Sequence, residues 1–120
     1  MKEKKPLTQI DAARSGIITD AMTRCAEDES CDVQQICEGV ARGEIVIVQS
    51  SRSVGSAKKV CAVGAGMRTK VNANIGTSRD WIKIEEELAK IRTAEEAGAD
   101  AMMDLSTGGD ISAIREQVIA

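Results

Sequence analysis

The chain is predicted to have an α/β fold in which N-terminal helices precede two βα units of a barrel-type parallel sheet. Three observations carry this prediction. The run Lys70-Val71-Asn72-Ala73-Asn74-Ile75-Gly76-Thr77-Ser78 reads as a strand that spills into a loop of small polar residues. Met103-Asp104-Leu105-Ser106-Thr107-Gly108-Gly109 repeats that pattern one βα unit later, and a helical pattern separates the two. A βαβα order with short connections is the signature of parallel strands joined by right-handed crossovers. Two polar-tipped strands in tandem are what a barrel enzyme uses to build the mouth of its active site. Parallel strands want helices on both faces or closure into a barrel, and two units cannot close anything. The last helical pattern also runs to Ile119-Ala120 without a glycine, proline or basic final turn. Both facts point to an incomplete chain.

Taken in order, residues 1–7 read as a disordered lead ending near Pro6. Thr8 is an N-cap for a short helix, Gln9 to Arg14, which Gly16 stops. Thr19 is a second N-cap, with Met22 and Ala26 on one face of a helix reaching about Glu27. Val33, Ile36 and Val40 mark a third helix, closed by Gly43 as its C′ residue. Ile45-Val46-Ile47-Val48 is a compact β-branched run, a strand by composition and length. Ser50 to Gly66 is rich in Ser, Gly and Lys and reads as a connecting loop that has room for one short strand. From Thr69 to Ile75 apolar and polar residues alternate with period two, leaving one face unusually polar. Ser78 or Asp80 is expected to cap the next helix, whose stripe is Ile84, Leu88 and Ile91, with Glu85, Glu86, Glu87 and Lys90 largely outside it. Gly98 ends that helix, Ala99 to Asp104 is the second strand, and Asp110 caps a last helix bearing Ile111, Ile114 and Val118. The organisation expected is residues 1–66 as a helical region with one short strand and a loop, and residues 67–120 as the two βα units.

Composition narrows the function classes. The 120 residues contain no Phe or Tyr and a single Trp, so any core is built from Ile, Val, Leu, Met and Ala and is thin for its length. The net charge of −3 argues against nucleic-acid binding, which needs a concentrated basic surface. Lys2-Glu3-Lys4-Lys5 and Lys58-Lys59 are short basic clusters that read as solvated segments. No apolar run is long enough to span a membrane, and no apolar segment follows the charged start, so a cytoplasmic location is expected. Disulfides are then not expected among the four cysteines.

The candidate site residues sit on the two strand tips. Asn72 and Asn74 project to one side of their strand. Asn is a poor strand former, and a buried amide must find up to four hydrogen-bond partners. Two readings stand open: the pair lines a barrel interior and holds a polar ligand, or it lies on an edge strand and meets water. Asp104 either binds a polar group or braces its loop, and Met103 is core filler or ligand contact. Ser106 to Asp110 can offer backbone N–H groups to a phosphate, but a carboxylate cap at Asp110 occupies the same donors, so a plain capped turn is the better reading. Gly64-Ala65-Gly66 lacks the third glycine of a dinucleotide fingerprint and precedes a strand rather than opening a helix. Cys25, Cys31 and Cys37 are spaced unlike zinc or ferredoxin ligands, Cys61 stands apart, and histidine is absent. No catalytic constellation and no metal site emerge from these residues.

The whole chain nevertheless resembles one enzyme family. Thr8-Gln9, Gly16-Ile17-Ile18-Thr19 and Val40-Ala41-Arg42-Gly43 are similar to the N-terminal region of phosphomethylpyrimidine synthases of thiamin biosynthesis. Arg68 to Ser78 resembles their first barrel strand, and Ile84-Glu85-Glu86-Glu87, Gly98-Ala99-Asp100 and Met103 to Gly108 continue the likeness. The related 5-hydroxybenzimidazole synthases of cobalamin lower-ligand biosynthesis share these motifs. The resemblance implies the first two βα units of a (β/α)8 barrel, truncated, in a radical S-adenosylmethionine lyase. That lyase converts 5-aminoimidazole ribotide into hydroxymethylpyrimidine phosphate, with a 4Fe–4S cluster, S-adenosylmethionine and zinc as cofactors. A homodimer of the full-length form is compatible with it. The positions matching substrate contacts are Asn74 and Met103, with Asn72, Asp104 and Ser106 in support. The family's metal-binding histidines and its three-cysteine cluster motif have no counterpart here, and the stretch from Ser50 to Ala62 departs from the family pattern. The expectation is a chain carrying one wall of the ribotide site, inactive and cofactor-free alone. The other hypothesis is a non-catalytic binding or assembly module.

Overall fold

The computed structural model describes residues 7–49 and 60–119. Residues 1–6 of the expected lead at 1–7, and most of the expected loop, including Lys58-Lys59, lie outside the described residues. The fold is mixed α/β, in the order α1 (Gln9–Arg14), α2 (Asp20–Glu29), α3 (Val33–Arg42), β1 (Ile45–Val48), β2 (Cys61–Gly64), β3 (Asn72–Ile75), α4 (Ile84–Glu96), β4 (Ala101–Asp104) and α5 (Ile111–Ile119). Two compact units divide it, residues 1–69 and residues 70–120.

Helix starts in the first unit are written in local chemistry. Thr8 accepts a hydrogen bond from Asp11 N while the Asp11 carboxylate reaches back to Thr8 N, a reciprocal cap on α1. Thr19 Oγ1 accepts from Met22 N at 3.3 Å, and Asp32 Oδ1 accepts from Gln34 N at 2.6 Å, so α2 and α3 begin where backbone donors first lack helical partners. Gly43 ends α3 in the left-handed conformation, at φ 75°.

The three helices bury small and β-branched residues against β1 and β2. Met22 and Ile36 are fully inaccessible, and Ala12, Cys25, Cys37, Val40, Ile45 and Ala62 complete the centre of this core. The close approach of α3 to β1 depends on size: a Cβ at Gly39 would collide with the Ile45 side chain. Small residues therefore do the work that aromatics do elsewhere, by bringing backbones together rather than filling gaps. The expected loop does contain a strand, β2, which pairs antiparallel with β1 in the register Ile45↔Gly64 to Val48↔Cys61. Ala62 is buried within this pairing while Val46, Val48 and Val63 face outward.

The second unit is a βαβα segment whose two strands pair in parallel, Asn72↔Ala101, Ala73↔Met102, Asn74↔Met103 and Ile75↔Asp104. Both strands are shorter than predicted. The Asp100 carboxylate accepts the Val71 N–H at 2.8 Å, so a side chain takes the first rung and the ladder starts at Asn72. The expected cap of α4 is also corrected. Ser78 and Trp81 exchange backbone hydrogen bonds in a tight turn, and α4 begins only at Ile84, with Lys83 at the N-cap and no side-chain cap. Trp81 Nε1 and Lys83 Nζ instead both donate to Glu86, at 2.9 and 3.1 Å, and Lys83 lies 4.1 Å from the Trp81 ring centre. The cap of α5 is the predicted one, with Ala113 N donating to Asp110 Oδ1 at 3.1 Å. Among the described residues there is no closed barrel, and each sheet has two strands.

Truncating Ile36 to Ala is expected to cost the first unit about 2–5 kcal/mol, the usual range for emptying a fully buried aliphatic position. Hydrogen exchange of the α3 amides reads this directly, and Val46→Ala, at a position 60% exposed, is the matched control.

Candidate functional site

Of the five residues singled out from the sequence, Asn74, Met103, Asp104 and Ser106 lie at or just beyond the carboxyl ends of β3 and β4, whereas Asn72 opens β3 opposite Ala101. Asn74 and Met103 are register partners, and the two-residue side-chain period puts both on the same face. That face is open: Asn72, Asn74 and Met103 are exposed, whereas Ile75 on the opposite face is buried. Asn72 Nδ2 donates to Asn74 Oδ1 at 3.3 Å, which orients the Asn74 amide along the strand. The Asn74 Nδ2 group and the Met103 thioether are thus presented side by side, one polar and directional, the other soft and apolar.

Asp104 and Ser106 brace the loop. Asp104 Oδ1 accepts from Ser106 N at 2.9 Å and from Ser106 Oγ at 2.6 Å, an Asx-type turn that bends the chain as it leaves the sheet. Ser106 Oγ also accepts from Thr77 N at 3.2 Å, tying this loop to the one after β3. Backbone donors that a phosphate could use are engaged within the protein: Ser106 N by Asp104, Thr107 N by Thr77 O at 2.8 Å, and Ala113 N by the Asp110 cap of α5. The segment is a capped, cross-braced turn.

The composition of the strand-tip loops hid three further residues. Thr77 is buried and its Oγ1 donates to Gly108 O at 2.7 Å. Gly108 sits so near the other loop that an added Cβ would strike the Ser78 carbonyl oxygen, with Ser78 C at 2.5 Å and Arg79 N at 2.8 Å. Gly76 has φ 150°, and a Cβ there would meet the Leu105 carbonyl carbon at 2.6 Å. The two loops therefore interlock through backbone contact that only glycine permits.

Glu87 corrects the expectation that the acidic residues of α4 lie outside its apolar stripe. It is buried, 2% exposed, with Oε2 accepting from Gly76 N at 2.8 Å and Oε1 paired with Lys90 Nζ at 2.7 Å. The signal was present: Glu87 is three residues after Ile84 and four before Ile91, which places it on the inward face. Burial pushes its carboxyl pKa up, but the hydrogen bonds from Lys90 and from Gly76 N more than offset this and hold it below the ordinary range. Between β3 and α4, residues including Ala73, Asn74, Ile75, Ala89, Lys90 and Thr93 line an open groove of about 470 Å³.

The cysteines are dispersed. Cys25 and Cys37 are in the core of the first unit, and Cys31 and Cys61 are half-buried. Burial and the neighbouring carboxylates of Glu29 and Asp32 push the Cys31 thiol up, the reverse of what a thiolate ligand needs. Among the described residues no three His, Cys, Asp or Glu side chains converge on a point that a metal ion could occupy. Nor does any described helix have the length and apolarity to cross a membrane.

Polar residues gathered where parallel strands end are the ligand-binding arrangement of α/β enzymes. Comparison with known proteins identifies the family. Residues 8–120 match the Radical SAM ThiC family, and the chain belongs to that family. It is 50% identical over 113 residues to a phosphomethylpyrimidine synthase of Syntrophus aciditrophicus, covering 94% of this chain and 26% of that relative. A phosphomethylpyrimidine synthase of Methanoregula boonei is 50% identical over 112 residues, covering 92% of this chain and 25% of the relative. A 5-hydroxybenzimidazole synthase of Geobacter sulfurreducens is 45% identical over 117 residues, covering 94% and 25% respectively. The chain spans about a quarter of the length of the curated relatives it matches.

Two outcomes follow from this geometry. Gly108→Ala is expected to destabilise the second unit by about 1–3 kcal/mol, since the obstruction is backbone and cannot swing away; Trp81 fluorescence through a denaturant titration measures it. For Glu87, a carboxyl pKa lowered in the folded state contributes stability that is complete above the unfolded value and is lost as pH falls through the folded one. Stability of the second unit should therefore decline on acidification below the ordinary glutamate range. Glu87→Gln should flatten that decline and cost about 1–3 kcal/mol at neutral pH.

Proposed function

We propose that this chain forms one wall of the substrate site of a phosphomethylpyrimidine synthase, the radical S-adenosylmethionine lyase that makes the thiamin pyrimidine, with Asn74 and Met103 contacting 5-aminoimidazole ribotide. The observation that carries the reading is the register pairing of Asn74 with Met103 at the carboxyl ends of two parallel strands, on an open face. In this reading β3-α4-β4-α5 are two βα units of a (β/α)8 barrel, and the exposed face of Asn72, Asn74 and Met103 is turned to the barrel interior.

The chemistry suits the ligand. An Asn amide both donates and accepts, so Asn74 can meet the hydroxyls or ring nitrogens of a ribotide. Met103 offers a polarisable surface on which a flat aminoimidazole can pack. Asn72 fixes the Asn74 amide, and the Asp104–Ser106 turn holds the loop beside it. The dispersed cysteines and the absence of convergent donors among the described residues do not fit the 4Fe–4S cluster or the zinc that the family implies. The role proposed for this chain is substrate contact, with no step routed through either group.

Calorimetric titration with 5-aminoimidazole ribotide tests the reading. Asn74→Ala and Met103→Ala are each expected to weaken binding by about tenfold, the consequence of losing one hydrogen bond or one well-packed contact. Unchanged affinity in both variants would sink it. The chain alone should cleave no S-adenosylmethionine and take up no cluster on reconstitution; stoichiometric iron and sulfide after purification would overturn that part.

The match to a 5-hydroxybenzimidazole synthase favours a second reading, in which the same wall serves benzimidazole formation. Chimeras in which this chain replaces the corresponding quarter of each relative separate the two by the product they form. The pyrimidine phosphate is the expected product.

A further inference from the structure

Glu87 is a buried charge in the second unit for which substrate contact, as proposed above, has no use. Burying a carboxylate is costly unless it is paired and hydrogen-bonded, and an apolar residue of similar size would fill the space without that cost. What an apolar residue cannot do is accept a hydrogen bond from Gly76 N. That amide belongs to the residue at which β3 leaves the sheet, two positions beyond Asn74. Its other surroundings leave it little room, because Gly76 lies against Leu105 and Ser106 of the opposite loop. Leu105 N also donates to Ile75 O at 2.8 Å, so the end of β3 is held from the β4 side by backbone and from the α4 side by the Glu87 carboxylate.

We propose that Glu87 is a positioning residue for the substrate site: by accepting the Gly76 N–H from within α4, it sets the exit of β3 and with it the placement of Asn74 beside Met103. The inference rests on the reading of Asn74 and Met103 as ribotide contacts. It goes beyond that reading by assigning a role to a helix residue that touches neither the ligand nor the open face. Lys90 is the counter-charge that lets the carboxylate stay ionised in its buried position, and its own side chain is largely exposed.

The test compares Glu87→Gln, which keeps an acceptor oxygen for Gly76 N, with Glu87→Leu, which keeps the volume and removes the acceptor. Ribotide affinity is read by calorimetry. The Gly76 amide, the Asn74 side-chain amide and the Met103 methyl are read by nuclear magnetic resonance. Glu87→Gln should stay within about threefold of the unaltered chain, while Glu87→Leu should lose on the order of tenfold and displace the Asn74 and Met103 signals. A purely structural role predicts instead that both variants lose affinity in proportion to their loss of stability. Equal losses, or undisturbed Asn74 and Met103 signals in Glu87→Leu, would overturn the proposal. If the unaltered chain binds no ribotide, the functional reading fails, and the resonance comparison still decides whether Glu87 sets Asn74. Should Glu87→Leu not fold, hydrogen exchange at Gly76 in the unaltered chain replaces it, where a rapidly exchanging amide would refute the hydrogen bond on which everything here depends.

Discussion

The parallel register of β3 on β4 sets the position of every candidate site residue in the second unit. A parallel pair cannot be closed by a tight turn, so a crossover element must carry the chain back to the starting end, and α4 is that element. Its thirteen residues return the chain to Ala101 opposite Asn72, and the pairing then runs in step to Ile75 opposite Asp104. From there the two exits leave the sheet together. Because they leave together they can interlock, through Thr77 with Gly108, Thr77 N with Ser106, and Gly76 against Leu105. A shift of one residue in either strand would put Asn74 and Met103 on opposite faces of the sheet and separate all three contacts.

The first unit meets a different physical problem, that of building a core without large side chains. It does so by close approach. Ala12, Ala13, Ala21, Ala26 and Gly39 allow three short helices and a strand pair to come within direct contact, and Met22 and Ile36 occupy the centre. Short helices are marginal on their own, and the caps at Thr8, Thr19 and Asp32 supply the backbone partners that such helices otherwise lack. Packing and capping are therefore both required here, since neither has much to spare.

Membership in the Radical SAM ThiC family gives these features a common setting. The relatives are about four times as long as this chain, and among its described residues each sheet has two strands and the face bearing Asn74 is exposed. The division of labour in the proposed site is then physical rather than topological. One strand offers a directional amide, its neighbour a soft apolar surface, and the polar residues around them are spent on holding loops rather than on meeting a ligand.

Much of this was legible in the residues. The Thr8 and Thr19 caps, the closing Gly43, the β-branched run at Ile45–Val48 and the Asp110 cap are local events, governed by a few neighbouring backbone groups, and they form as the sequence predicts; the Asp32 cap of α3 is equally local but was not among the predictions. The parallel βαβα order and the alternation that sets Asn72 and Asn74 on one face were equally readable, because period and spacing decide them. Elsewhere a distant partner decided. Asp100 shortened both strands by taking the Val71 N–H, the Ser78–Trp81 turn displaced the start of α4, and Cys61–Gly64 became a strand only because β1 was there to pair with it. Glu87 is the clearest instance: its composition says solvent, its spacing says interior, and only the Gly76 amide and Lys90 explain how a carboxylate can remain there. Sequence alone determined the order of most helices and strands and which residues share a face, since those depend on local backbone geometry. Tertiary structure decided the register, the loop interlock and the partners of buried polar groups, because each depends on atoms far apart along the chain.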